Sequence, residues 1–246
     1  MSYDYKSGKK RVEDILTGNL DVIDVTNIPA DESFTFENAY HAWISAVFVD
    51  IRNSTTLMAR DDQEYVSKVV RSFTSEIIEI LRSDDALREI GIRGDCVYAV
   101  YSTPTKRAIY DVFDHTIFVN TYIDMLNALL KGHGYDQIKA GIGMATGYDH
   151  AIKAGRKGVG INSTVWMGDA VSEASKLSGH GEKTVTSRMV ISKLAYDNFI
   201  EILNKETPNA DARDWFKSST MLPFSSVHCG LVKSKMHEWI KDGMPE

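Results

Sequence analysis

Two aspartates stand where carboxylates could do chemistry together. The first, Asp50, ends the apolar run Ala46-Val47-Phe48-Val49 and is followed by Ile51, Arg52, Asn53, Ser54 and Thr55. So short a run, rich in β-formers, reads as a buried strand that delivers the acid to its own C-terminal edge. The small polar residues after it suit a helix cap, and the unpaired N–H groups of such a turn favour an anion such as a phosphate. The second acid, Asp95, follows Gly94 inside Ile92-Arg93-Gly94-Asp95-Cys96-Val97-Tyr98, another β-rich run whose Gly-Asp pair suits a tight hairpin. An acid beside an anion site points to a metal between them, and two acids on strand edges can hold Mg²⁺ or Mn²⁺ through hard oxygen ligands. By itself Asp50 also reads as a helix cap, since strand–Asp–turn–helix edges are common.

Four blocks in order carry a resemblance. Phe48-Val49-Asp50-Ile51 through Ser54-Thr55, then Arg93-Gly94-Asp95, then Gly141 to Gly147, then Trp166-Met167-Gly168-Asp169-Ala170-Val171 resemble the catalytic domain of class III nucleotidyl cyclases, from about Trp43 to Ser192. The resemblance implies a ferredoxin-like α+β domain with a largely antiparallel sheet covered by helices. It implies intramolecular phosphoryl transfer, in which the ribose 3′-hydroxyl attacks the α-phosphate of a nucleoside triphosphate and pyrophosphate leaves. Asp50 and Asp95, with the Ile51 carbonyl, match the family's ligands for two divalent ions, Mg²⁺ or Mn²⁺, one acidifying the nucleophile and one neutralising the leaving group. The backbone of Arg52, Asn53, Ser54 and Thr55 is then expected to hold the β- and γ-phosphates.

Departures from the family pattern bear on the substrate. Purine cyclases place a charged selector four residues before the second metal aspartate, and a polar one three residues before the glycine of the Trp block. Here these positions are Gly91 and Val165, which leaves a purine edge without a reader. Ser172 and Lys176 occupy the places of the family's ribose-orienting Asn and transition-state Arg, one helical turn apart. Lysine keeps the charge but not the bidentate fork. The combination resembles the bacterial stand-alone pyrimidine cyclases of the Pycsar anti-phage system, which implies conversion of UTP or CTP, UTP slightly favoured, to the 3′,5′-cyclic monophosphate, a messenger for a separate effector. The family also implies a homodimer in which Asp50 and Asp95 of one subunit face Ser172 and Lys176 of the other. Two other readings stay open: a purine cyclase with a rebuilt base pocket, and a nucleotide-binding dimerisation module without catalysis.

The elements that must position these residues follow from periodicity. From Asp61, Val66, Val69, Val70, Phe73, Ile77, Ile80 and Leu81 recur at helical spacing, and Ala108 to Leu130 repeats the pattern before Gly132-His133-Gly134. Ile138 to Ala145 reads as a glycine-broken strand ended by Gly147, Met167 to Leu177 as a short helix, and Ser187 to Ile191 as a strand leading into a Ser192-capped helix to Leu203. The tail from Thr207 reads as irregular until Val227 to Val232. Residues 1–40, with a short helix at Lys9 to Leu16, form an arm, and 41–246 form the cyclase domain with a C-terminal extension.

Composition narrows the partners. The 246 residues, 43% hydrophobic and 25% charged, suit one good-sized globular domain with appendages. A formal charge of −6 without a basic block argues against nucleic acid or an anionic membrane as partner. No stretch approaches the roughly 20 apolar residues of a membrane span, so a cytoplasmic protein is expected. Cys96 and Cys229 lack metal or disulfide spacing, and the His residues lack ligand spacing. Arg93 reads as meeting triphosphate or base, or as an interface salt bridge. Trp43 and Trp166 read as base-stacking or packing residues. Lys153, Lys233 and Lys235 are further cations for which phosphate contact is one reading.

Overall fold

In the computed structural model, which describes residues 3–59 and 61–246, the strand that ends in Asp50 is far longer than its apolar centre. The elements run α1 (Tyr5–Thr17), β1 (Asp21–Asp24), β2 (Asn38–Ile51), α2 (Ser54–Met58), α3 (Gln63–Leu81), β3 (Leu87–Arg93), β4 (Cys96–Ser102), α4 (Lys106–Gly132), β5 (Ala140–Arg156), β6 (Ile161–Met167), α5 (Asp169–Ser178), β7 (Met189–Ser192), α6 (Lys193–Glu206), β8 (Lys217–Ser218), β9 (Ser226–Cys229) and α7 (Ser234–Lys241). The main sheet has the order β3-β4-β2-β5-β7-β9-β8, with β1 added to β2 and β6 added to β5. Pairing is antiparallel except between β1 and β2 and between β5 and β7. This is the expected α+β arrangement.

Side-chain alternation along β2 sorts the molecule into two faces. Val47, Val49 and Ile51 join the core under α3, α4 and α6, where Phe73, Phe113 and Phe199 are wholly buried. Ala42, Ile44 and Ala46 join a second cluster with Ala145, Ala151, Ala170 and Ala174, against which Phe48 and Tyr98 pack half-buried. That face is covered by α5. Its close approach explains the glycines of the broken strand: a Cβ on Gly143 would lie 2.0 Å from the Ala174 carbonyl oxygen, and one on Gly141 2.0 Å from that of Ser178.

Several boundaries differ from the expectation. Gly147 does not end its strand; β5 pairs with β2 through it and runs on to Arg156, because residues 148–156, mixed in polarity, find partners in β2 and β6. β6 itself, with Ile161 exposed and alternating burial, was not legible as a strand. The segment before 41 is tied to the sheet: β1 pairs with Asn38 to His41, and Ile28 and Phe34 are buried. Near the C-terminus β9 spans only Ser226–Cys229 and the amphipathic α7 follows.

Candidate active site

Asp50 and Asp95 meet because the β2–β4 register sets Asp50 opposite Cys96, next to Asp95. Asp95 sits in the β3–β4 turn, whose Gly94 takes φ +65°, a left-handed geometry that glycine adopts without a Cβ penalty. The two carboxyls are close enough to repel each other. Burial raises the Asp50 carboxyl above its ordinary range; the Arg52 guanidinium pulls against this, and Asp95 adds repulsion. A divalent cation would relieve both the burial cost and the repulsion, so the pair fits one. Among the described residues no group of three or more His, Cys, Asp or Glu forms a metal cage. A cation held here would complete its shell with backbone carbonyl, water and substrate oxygens, as Mg²⁺ commonly does.

Arg52 does not serve the phosphate turn in the way the motif suggests. Its backbone N–H donates to the Lys139 carbonyl at 2.8 Å, which leaves the expected anion turn to Asn53, Ser54 and Thr55. Asn53 adopts φ +55° and offers no side-chain cap, so α2 begins without one. The Arg52 side chain folds back beneath the site. It donates to Asp50 Oδ2 at 3.0 Å and to the carbonyls of Ser178 at 2.5 Å and Gly179 at 3.1 Å. Beside it a cavity of about 220 Å³ is lined by Arg52, Asn53, Lys139, Glu182 and Lys183. Lys183 also attracts the Asp50 carboxylate.

The helix that carries Ser172 and Lys176 is held at both ends. At its start the Asp149 carboxylate, 4% exposed, accepts from the backbone N–H groups of Asp169 at 3.1 Å and Ala170 at 2.8 Å. At its end Arg52 takes the last carbonyls. An anion at the N-terminus and a cation at the C-terminus both complement the helix dipole. Burial raises the Asp149 carboxyl, and its two backbone hydrogen bonds oppose that. Ser172 and Lys176 lie on the exposed side of α5; Ser172 Oγ donates to Asp169 O at 3.4 Å, and Lys176 Nζ stands 5.2 Å from the Phe224 ring centroid. No contact described in this chain joins them to Asp50 or Asp95.

Gly91 and Trp166 share the α5 face, whereas Val165, next to Trp166 in β6, points to the other side of the sheet. Gly91 pairs with Tyr98, and the Tyr98 ring stacks on Phe48 with centroids 5.4 Å apart. Trp166 reaches from β6 across the alanine floor to donate to Glu89 Oε2 at 2.6 Å, and Tyr98 donates to Glu89 Oε1 at 2.6 Å. Arg93 is exposed at the end of β3, and Val165 is exposed beside Trp166.

Other candidates lie elsewhere. Trp43 is on the opposite face of the sheet, beside Tyr148. Lys153 donates to the Phe34 carbonyl. Lys233 pairs with Asp114 and stands over Phe118, in a cavity of about 690 Å³ that Asp84, Arg107 and Glu206 also line. Burial pushes both cysteine thiols up to about 12, which disfavours the thiolate that a nucleophile needs. Sequence reasoning missed Asp149, Glu89, Tyr98, Lys139 and Lys183. For Asp149 a signal existed, an acid two residues past the small and apolar run Gly141 to Gly147.

Comparison with known proteins places this geometry. The model for the adenylate and guanylate cyclase catalytic domain matches residues 36–213. A protein from Treponema porcinum called uridylate cyclase is 45% identical over 248 residues, covering 99% of this chain and 83% of that protein. Another uridylate cyclase, from Gulbenkiania mobilis, is 30% identical over 237 residues, covering 93% and 92%. Among solved structures, the adenylyl cyclase CyaB of P. aeruginosa superposes with a TM-score of 0.60 at 16% identity, over 78% of this chain and 95% of that one. At that identity the likeness is one of fold.

Proposed function

The chain belongs to the adenylate and guanylate cyclase catalytic-domain family, and on that premise we propose that it cyclises a pyrimidine nucleoside triphosphate, UTP in preference to CTP. The ribose 3′-oxygen bonds to the α-phosphorus, the bond from that phosphorus to the bridging oxygen of the β-phosphate breaks, and pyrophosphate and the hydroxyl proton leave. The observation that supports this reading most is the facing pair Asp50 and Asp95, on the same side of the sheet as a helix that carries Ser172 and Lys176.

Asp50, Asp95 and the Ile51 carbonyl are the residues that would hold Mg²⁺ or Mn²⁺. When bound, such ions acidify the attacking hydroxyl and neutralise charge on the phosphates. The turn from Asn53 to Thr55 receives the terminal phosphates, with Lys139 and Lys183 adding positive charge at that end. Ser172 orients the ribose by its hydroxyl, and Lys176 opposes the charge that builds at the α-phosphate. Lys176 does so as a point charge. Arg52 and Asp149 act through α5, by holding it to the sheet.

Because Ser172 and Lys176 face outward in one chain, the site closes between two copies, each of which supplies Asp50 and Asp95 to one site and α5 to the other. An isologous dimer then carries two equivalent sites. The product is a messenger for a separate effector in anti-phage defence, made in the cytoplasm.

Chromatography of products from each of the four ribonucleoside triphosphates with Mn²⁺ tests the activity. Cyclic UMP as the main product is expected; a cyclic purine product would favour a rebuilt purine pocket, and no product a non-catalytic module. Mixing Asp95→Ala with Lys176→Ala tests the shared site. At full subunit exchange about half the dimers are mixed, each with one intact site, so activity should return to roughly a quarter of wild type. No return despite exchange would exclude the shared site.

A further inference from the structure

We propose that Tyr98 is the residue that excludes purines, its ring forming the wall that limits the base site to a single-ring base. This rests on the reading of the α5 face as the nucleotide site. Gly91 offers no side chain to read a base edge, and both oxygens of the nearby Glu89 carboxylate already accept from Tyr98 and Trp166, so selection there has to work by room. The room is already taken. A Cβ built on Gly91 would lie 2.7 Å from the Tyr98 hydroxyl oxygen and 2.8 Å from its Cε1 and Cζ, so the tyrosine ring lies across the space that a side chain at 91 would fill.

A ring limits a pocket only if it is held. Tyr98 is held on two sides, by the hydrogen bond to Glu89 and by stacking on Phe48. Glu89 is itself fixed by Trp166, so each of its carboxylate oxygens accepts one aromatic donor, at 2.6 Å in both cases. Burial, then the Glu89 hydrogen bond and charge, pushes the Tyr98 phenol up to about 12, so it remains a donor at neutral pH. The links come from three strands, β3, β4 and β6, and hydrogen bonds joined in this way move together. Swinging the ring away to admit a second ring would break the Glu89 bond and the Phe48 contact at once.

The arrangement also bears on how a purine pocket could be restored. A lysine placed at 91 would collide with Tyr98, so Gly91→Lys alone should leave nucleotide choice unchanged. Gly91→Lys with Tyr98→Ala removes the collision.

The test measures kcat/KM for UTP, CTP, ATP and GTP with Mn²⁺ in the full-length protein. Tyr98→Ala should raise the ATP-to-UTP ratio by about 10- to 100-fold, the range by which apolar pockets discriminate on size. Tyr98→Phe keeps the wall and loses only the tie to Glu89, so its ratio should shift less than that of Tyr98→Ala. If Tyr98→Ala does not fold, Tyr98→Leu carries the test in the same direction. A folded Tyr98→Ala or Tyr98→Leu protein whose ratio stays within about twofold of a wild type that makes cyclic UMP would overturn the proposal. A wild type that turns over no triphosphate would instead remove the cyclase reading on which it rests.

Discussion

Under α3, α4 and α6 the sheet buries Phe73, Ile77, Phe113, Ile123 and Phe199 completely, whereas under α5 its floor is Ala42, Ala46, Ala145 and Ala151, met by Ala170 and Ala174 of the helix, and Phe48, Tyr98 and Trp166 stay half open. The first face gains its stability from large apolar side chains packed without gaps, with Phe113 and Phe199 stacked at 4.0 Å and 9°. The second gives up such bulk. Small residues let α5 and β6 lie close to the sheet, and its polar groups are held by paired hydrogen bonds. Stability and chemistry are thus separated by the pleat: Val49 and Asp50 are adjacent in sequence and serve opposite faces.

The largest expected effect tests the second face. Asp50→Ala and Asp95→Ala should each lower turnover by about 10³-fold or more, since losing either proposed metal ligand would remove several kcal/mol of transition-state stabilisation. Both should still unfold cooperatively, because neither residue supports the main core. Turnover within tenfold of wild type in either variant would break the assignment.

The next pair sets one face against the other. Phe113→Ala should cost about 3–5 kcal/mol in urea denaturation, as a wholly buried phenylalanine does. Phe48→Ala, from the half-open stack, should cost clearly less and change nucleotide choice instead. Equal stability costs would erase the distinction drawn between the faces.

A smaller effect is expected where the faces are joined. Asp149→Ala removes the cap of α5 and should cost about 1–2 kcal/mol, with kcat falling although Asp50 and Asp95 are intact. Asp149→Asn keeps one acceptor and should recover part of that fall. An unchanged kcat in Asp149→Ala would mean that α5 is positioned by packing alone.

The smallest effect is a pH slope. The folded-state carboxyl of Asp50 is raised above its ordinary 3.8, so its contribution to metal-free stability is complete below that value and is lost as pH rises through the raised one. Asp50→Asn lacks this loss. The variant should therefore gain on wild type between about pH 4 and neutrality in EDTA, and Mn²⁺ should restore the wild type alone. Parallel pH curves would show that Arg52 already compensates the charge.

How much of this was legible depends on the range of the interaction involved. The two covering helices α3 and α4 were plain because Val66, Val69, Phe73 and Ile77, or Ile109, Val112, Phe113 and Ile117, repeat with the helix's own period. β5 reads as ending at Gly147 because the residues that follow mix Tyr148, Asp149, His150, Lys153 and Arg156 with Ala151 and Ile152, and the strands they pair with are equally mixed, so no clean alternation marks the extension. Arg52 reads as part of the proposed phosphate turn because it adjoins Asn53, Ser54 and Thr55 in sequence, and nothing local reveals the carbonyls of Ser178 and Gly179 that turn it inward.

The sequence by itself determined that Asp50 and Asp95 end up at strand edges beside turns, since alternation, β-propensity and the Gly94 turn are local properties. It also determined that position 91 carries no side chain. Only the tertiary structure decided that Tyr98 fills that place, that Glu89 and Trp166 hold it, and that Asp149 and Arg52 clamp the two ends of α5. Those pairings depend on strand register and on the close seating of a helix against glycines. Register is a cooperative property of the whole sheet, set by the sum of many weak pairings rather than by any one residue.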